Sequence, residues 1–142
     1  MLYDNEARVF FKATSENEAF SRIFATGFLS PLDPTISEMM DMKTAISEAV
    51  TNAIIHGYEK REGVVELYCA YIGRTVYIEV ADKGKGIEDI DLAREPLYTS
   101  KPEMERSGMG FTIMETFMDH IKIESEIDKG TRVFMEKMLS GE

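Results

Sequence analysis

Tryptophan is absent from this chain, cysteine occurs once, and there are only four prolines in 142 residues. The single cysteine, Cys69, excludes an internal disulfide and fits a reducing compartment. No apolar stretch approaches the roughly 20 residues that a membrane-spanning helix needs. The opening Met1-Leu2-Tyr3-Asp4-Asn5-Glu6 has neither the basic start nor the apolar run of a signal peptide. A cytoplasmic protein without a membrane partner is expected. Basic residues are scarce beside acidic ones: 16 Lys and Arg against 26 Asp and Glu give a formal net charge of -10. Phosphate backbones are bound by basic surfaces, so direct binding of nucleic acid is not expected, whereas a partner with a positive patch suits this charge. Also missing are the Gly-x-x-x-x-Gly-Lys-Ser/Thr phosphate loop, the His-Glu-x-x-His pair and any cysteine metal cluster. A nucleotide site, if present, must be built another way.

What remains is the composition of an ordinary soluble globular chain, 44% hydrophobic and 30% charged, long enough for one domain over residues 1–142. Ala7 to Ala13 reads as a strand. Ser15-Glu16-Asn17-Glu18 has the form of a capping box and should open a helix to about Leu29, stopped by Pro31 and Pro34. Thr35-Ile36-Ser37-Glu38 is a second capping box, and helical periodicity then runs to His56 with Gly57 as terminator. Val64 to Ile72 and Thr75 to Ala81 are β-branched and aromatic, joined by Gly73-Arg74 in a hairpin. After a polar stretch containing Pro96 and Pro102, Gly110 to about His120 reads as a third long helix. Ile121 to Ile127 and Thr131 to Met138 read as strands around the Asp128-Lys129-Gly130 turn. The expected architecture is an α+β two-layer sandwich, with a mixed, mostly antiparallel sheet and three main helices on one face.

Within the second helix Glu48, Asn52 and His56 recur every fourth residue beside the apolar positions Ile46, Ala49, Val50, Ala53 and Ile54. Such residues stack along one edge of a helix, each offset by about 40°. A solvated helix edge would show the same pattern, but a carboxylate one turn from a carboxamide can also present a base and a metal-binding oxygen to one ligand. Asp82-Lys83-Gly84-Lys85-Gly86 can be a turn; alternatively Asp82 accepts a hydrogen bond from an exocyclic amine while Gly84 and Gly86 let the backbone approach a flat ring. Gly108-Met109-Gly110 stands at a helix start, where free N–H groups suit an anion, with Lys101 and Arg106 upstream. Gly130-Thr131 reads as a hairpin turn.

These segments, in this order, resemble the N, G1, G2 and final-threonine motifs of the GHKL ATPases, a superfamily with members among gyrases, heat-shock chaperones and sensor histidine kinases. Glu-Ala-Val-Thr-Asn-Ala-Ile-Ile-His-Gly-Tyr and Thr-Ser-Lys-Pro-Glu-Met-Glu-Arg-Ser-Gly-Met-Gly-Phe are most similar to the small anti-sigma-factor serine kinases, the sporulation anti-sigma-F group in particular. The resemblance spans nearly the whole chain. It implies the GHKL, or Bergerat, ATP-binding fold and ATP or ADP in the cleft, with Asp82 at the adenine amine and Thr131 supporting the adenine. Asn52 would be the Mg²⁺ ligand and Glu48 the general base. A lid over roughly residues 94 to 110 would bring Thr99, Lys101, Arg106, Gly108 and Gly110 near the phosphates. It further implies a homodimer that silences a sigma-F-type sigma factor and phosphorylates a serine of its anti-anti-sigma factor. Arg22 matches a family position used in partner contact. Lys83 and Lys85 are more basic than the family's usual choices. The alternatives are a kinase for the general-stress sigma factor, a histidine-kinase ATP-binding domain and a nucleotide-holding module without turnover. His56 is expected to cap or pack the helix end, outside the chemistry.

Overall fold

A computed structural model describes residues 2–59, 61–95 and 110–141. The chain opens with strand β1 (Asn5–Lys12) and continues into helix α1 (Ser15–Leu29). The expected capping box at Ser15 does not form. The N-cap is Thr14, without a side-chain bond, and the Ser15 hydroxyl turns to the Glu16 carboxylate instead. A 3-10 turn over Ser30–Leu32, with Pro31 in its first turn, ends the helix. Helix α2 (Ile36–Asn52) has the full capping box: Thr35 Oγ1 accepts the Glu38 N–H at 3.0 Å, and Glu38 Oε1 accepts the Thr35 N–H at 2.8 Å. The other Glu38 oxygen accepts the Ser140 N–H at 2.7 Å, so one carboxylate joins the helix start to the end of the sheet.

Four further strands follow: β2 (Val64–Ile72), β3 (Thr75–Asp82), β4 (His120–Glu126) and β5 (Gly130–Met138). Between β3 and β4 lie the one-turn helix α3 (Ile90–Ala93) and helix α4 (Gly110–Phe117). The strand order is β1-β2-β3-β5-β4, so β3 is central. Every pairing among the described strands is antiparallel. The sheet expected as mixed is therefore antiparallel in its described part, because the long connection from β3 to β4 inserts β5 between two strands of the same direction.

Alternation along the strands gives the sheet one apolar face. Leu67, Val76 and Ile78 on that face are wholly buried against Leu29 of α1, Met42, Ile46 and Val50 of α2, and Met114 of α4. The opposite face is polar and aromatic. Arg8 lies 4.4 Å from the centre of the Tyr68 ring, and Arg132 reaches Glu66 at 3.5 Å and Glu79 at 3.6 Å. Lys137 departs from this division. It lies on the inner face of β5, donates to the Phe117 carbonyl at 2.7 Å and pairs with Asp41 at 3.6 Å. A cation is thereby placed at the C-terminal end of α4, where the helix dipole favours it. The result for the site is a fixed stack: α2 and α4 side by side over the ends of β3, β4 and β5.

Candidate functional site: a cleft between helix α2 and the sheet

Helix α2 does not stop cleanly at Gly57. Its last turn, Ala53–Gly57, is π-helical, closed by the Tyr58 N–H donating to the Ala53 carbonyl at 2.9 Å. Such turns carry one extra residue and recur at functional positions. Here the turn brings Gly57 against the loop that leaves β3. A Cβ on Gly57 would sit 2.8 Å from the Asp82 carboxyl carbon, and a Cβ on Gly84 would lie 2.1 Å from the Gly57 carbonyl oxygen. The Lys85 N–H donates to that same carbonyl at 2.9 Å. Tyr58 completes the clasp: its hydroxyl accepts the Lys83 N–H and donates to the Val64 carbonyl, both at 2.7 Å. Gly84 thus serves the approach of the helix end. It is not among the described residues lining the cleft, in contrast to the expectation that it faces a flat ring. Gly86 does line it, with a left-handed φ of 78° and the Glu126 carbonyl 2.3 Å from where a Cβ would stand.

The cleft has a volume of about 1090 Å³, just above the roughly 300–1,000 Å³ of most small-molecule sites and ample for a nucleotide. Its described lining joins Asn52 and His56 from α2, Asp82 at the end of β3, Gly86 in the loop beyond it, Gly110 and Phe111 at the start of α4, and Thr131 on β5. Sequence segments far apart are brought together as expected for Asn52, Asp82, Gly86, Gly110 and Thr131. Glu48 is half-buried on α2, one turn before Asn52, and is not among the described lining residues. Arg22 lies on α1, away from the cleft, in an ion pair with Glu18 at 2.7 Å. Thr99, Lys101, Arg106 and Gly108 lie outside the described residues, as does most of the expected lid. His56 lines the cleft, closer to the ligand space than expected from sequence.

Asp82 ends the central strand, cross-strand from Thr131. Its Oδ1 accepts the Gly84 N–H at 2.8 Å, and the nearby Thr131 N–H also favours the ionised form. Burial nevertheless raises its pKa from 3.8 to about 6, because desolvation of the charge outweighs these two donors. A carboxylate so placed is short of positive partners and suits a ligand bearing N–H groups. Among the described residues no group of three or more His, Cys, Asp or Glu could hold a metal ion by itself.

Sequence reasoning missed three contributors. Tyr58 and Lys85 offered no periodic signal. Ser125 did: it is the polar member of the alternation Ile121, Ile123, Ser125, Ile127 on a strand whose other inward residues are apolar.

The family model for the histidine kinase-like ATPase domain matches residues 11–137. The chain belongs to this family. Within it the chain is similar to the anti-sigma F factor of Clostridium kluyveri, 55% identical over 139 residues, covering 98% of each chain. It is similar also to that of Clostridium acetobutylicum, 56% identical over 136 residues and covering 96% of this chain and 95% of the relative. To that of Clostridium perfringens strain 13 it is 57% identical over 138 residues, covering 96% and 99%. The solved structure of the RsbU and RsbW domains of Rv1364c from Mycobacterium tuberculosis matches 97% of this chain with a TM-score of 0.71 at 21% identity. The present chain spans 33% of that longer one, so the likeness speaks for the fold alone. Membership of the histidine kinase-like ATPase domain family implies binding of ATP or ADP.

Proposed function

We propose that this domain, acting over residues 1–142 as one unit, is an ATP-dependent protein serine kinase and a cytoplasmic anti-sigma factor of the sigma-F type. The observation that carries the proposal is the convergence of Asn52, Asp82, Gly86, Gly110 and Thr131 on one cleft of nucleotide size. The identity of 55–57% to anti-sigma F factors of Clostridium supports the sigma-F reading over the general-stress one.

Adenine would lie over Gly86 with its amine on Asp82 and Thr131 beside it, and the triphosphate would run toward Asn52 and the α4 N-terminus at Gly110. Thr99, Lys101, Arg106 and Gly108 would join the phosphates from the lid. The carboxamide oxygen of Asn52 is a hard donor that suits Mg²⁺, and the lack of a protein-only cage among the described residues fits an ion otherwise held by phosphate oxygens and water. Bound Mg²⁺ would neutralise charge on the phosphates during transfer. Glu48, one turn from Asn52, would accept the proton of the partner's serine hydroxyl as its oxygen bonds the γ-phosphorus. The bond from the γ-phosphorus to the β–γ bridging oxygen breaks, and ADP leaves. The phosphorylated anti-anti-sigma factor would then release the chain, which as a homodimer would bind its sigma factor with Arg22 in the contact.

The test is transfer of labelled phosphate from ATP to a serine of a purified anti-anti-sigma factor. With Glu48→Gln the transfer rate should fall by about 100-fold or more while nucleotide binding persists. Transfer at the unaltered rate would remove Glu48 as the base. Binding without any transfer to the true partner would leave a nucleotide-holding module.

A further inference from the structure

Three inward-facing residues lie side by side across β3, β5 and β4: Asp82 is paired with Thr131, and Thr131 with Ser125. The Ser125 hydroxyl is fully committed. Its oxygen accepts the Ile87 N–H at 2.7 Å, it donates to the Gly130 carbonyl at 3.1 Å, and it lies 2.8 Å from Thr131 Oγ1. A hydroxyl has one proton and two lone pairs. The Gly130 carbonyl can only accept, and all three contacts of Ser125 are satisfied at once when that carbonyl takes its proton. In that arrangement the remaining Ser125 lone pair faces Thr131, and the Thr131 proton points back to Ser125. Thr131 Oγ1 is left with lone pairs alone to offer the cleft that it and Ser125 both line.

We infer that Ser125 is a specificity-determining positioning residue: by holding the Thr131 proton it makes the base pocket an array of acceptors that takes a 6-aminopurine and rejects a 6-oxopurine. The inference rests on the nucleotide reading above and deepens it. Asp82 alone cannot make this choice. A carboxylate accepts the amine of adenine, but it equally accepts the N1–H of hypoxanthine or guanine. The neighbouring group then decides. An amine places a second N–H beside the Thr131 lone pairs, whereas a 6-oxo group places an oxygen against an oxygen with no proton between them. Leaving polar groups unpaired in a binding site is what makes such discrimination steep. Without Ser125 the Thr131 proton is free to turn into the cleft and donate to a carbonyl.

The test is calorimetric titration of the full chain with ATP and with inosine triphosphate, each with Mg²⁺, at pH 7.5. The unaltered protein should prefer ATP, and Ser125→Ala should shrink the ratio of the two affinities by about tenfold, the worth of one mispaired hydrogen bond. Ser125→Thr, which keeps the hydroxyl, should retain the ratio. Ser125→Cys keeps the volume with a poor acceptor and should lower it, which guards against misfolding of the alanine variant. Thermal melting of each variant separates loss of fold from loss of choice. An unchanged ratio in folded Ser125→Ala or Ser125→Cys, with both nucleotides weakened alike, would overturn the inference and leave the nucleotide reading standing. Failure of the unaltered protein to bind either nucleotide would overturn both.

Discussion

Asp82 concentrates the chemistry of the cleft in one side chain. Its pKa of about 6 lies above the ordinary 3.8, so the folded state holds this proton more tightly than the unfolded chain does. The stability that this group contributes is therefore complete below about pH 4 and is lost as pH rises through about 6. An amine donor at the carboxylate favours the opposite form, the ionised one. Adenine-nucleotide affinity should accordingly be steady above pH 7 and fall as pH drops through about 6, with protons released on binding near that pH. Calorimetry in two buffers of different ionisation enthalpy measures the release, and affinity that is flat from pH 7.5 to 5 would contradict an ionised Asp82 at the amine. The place of this residue at the close of an apolar strand was legible in the sequence. Asp82-Lys83-Gly84-Lys85-Gly86 alone reads as an ordinary turn, however, and a role at the adenine amine came from the family resemblance. The need for Gly57 was not legible. As a helix terminator it had a sufficient local explanation, and only the packing of Asp82 onto its Cα shows the second one.

The elements meet at places where a single atom decides the fit. Gly84→Ala would drive a methyl into the Gly57 carbonyl, which belongs to backbone and cannot turn aside. That variant should lower both the melting temperature and the nucleotide affinity. Tyr58→Phe removes only a hydroxyl that bridges Lys83 and Val64, whose two hydrogen bonds are together worth about 2 kcal/mol of stability. Its larger effect should fall on nucleotide affinity, because the freed Lys83 N–H follows directly on Asp82. Comparing melting temperature with affinity for both variants checks this ordering. The periodicity of α1 and α2 was legible to within a few residues because each has an apolar face and, for α2, a cap that satisfies itself locally. The cap of α1 was misread: Ser15 has the right chemistry one position too late. The π turn was invisible, since it arises from tertiary closure of Gly57 on the β3 loop and from no propensity of Ala53-Ile54-Ile55-His56.

For the molecule as a whole, the net charge of -10 is a long-range property that no single contact expresses. If a basic patch on the sigma factor is its counterpart, association should slow as salt rises from about 0.05 to 0.5 M, where the screening length falls several-fold. Dissociation should change less. Rates by surface binding at several salt concentrations check this, and a salt-independent association rate would point to an apolar interface. The α+β layering was readable from the order of elements, whereas the uniform antiparallel pairing depended on β5 entering between β3 and β4, which no local pattern encodes.

The central place of β3 also bears on time. All of its eight residues are paired with β5, and all but Asp82 also with β2. Exchange of its amide hydrogens with deuterium should follow global unfolding, while β1 and β4, each paired on one side only, should open sooner. The floor beneath the base would then be the last part of the domain to lose its order. Any exchange that ATP slows would be found instead in the walls that close over that floor.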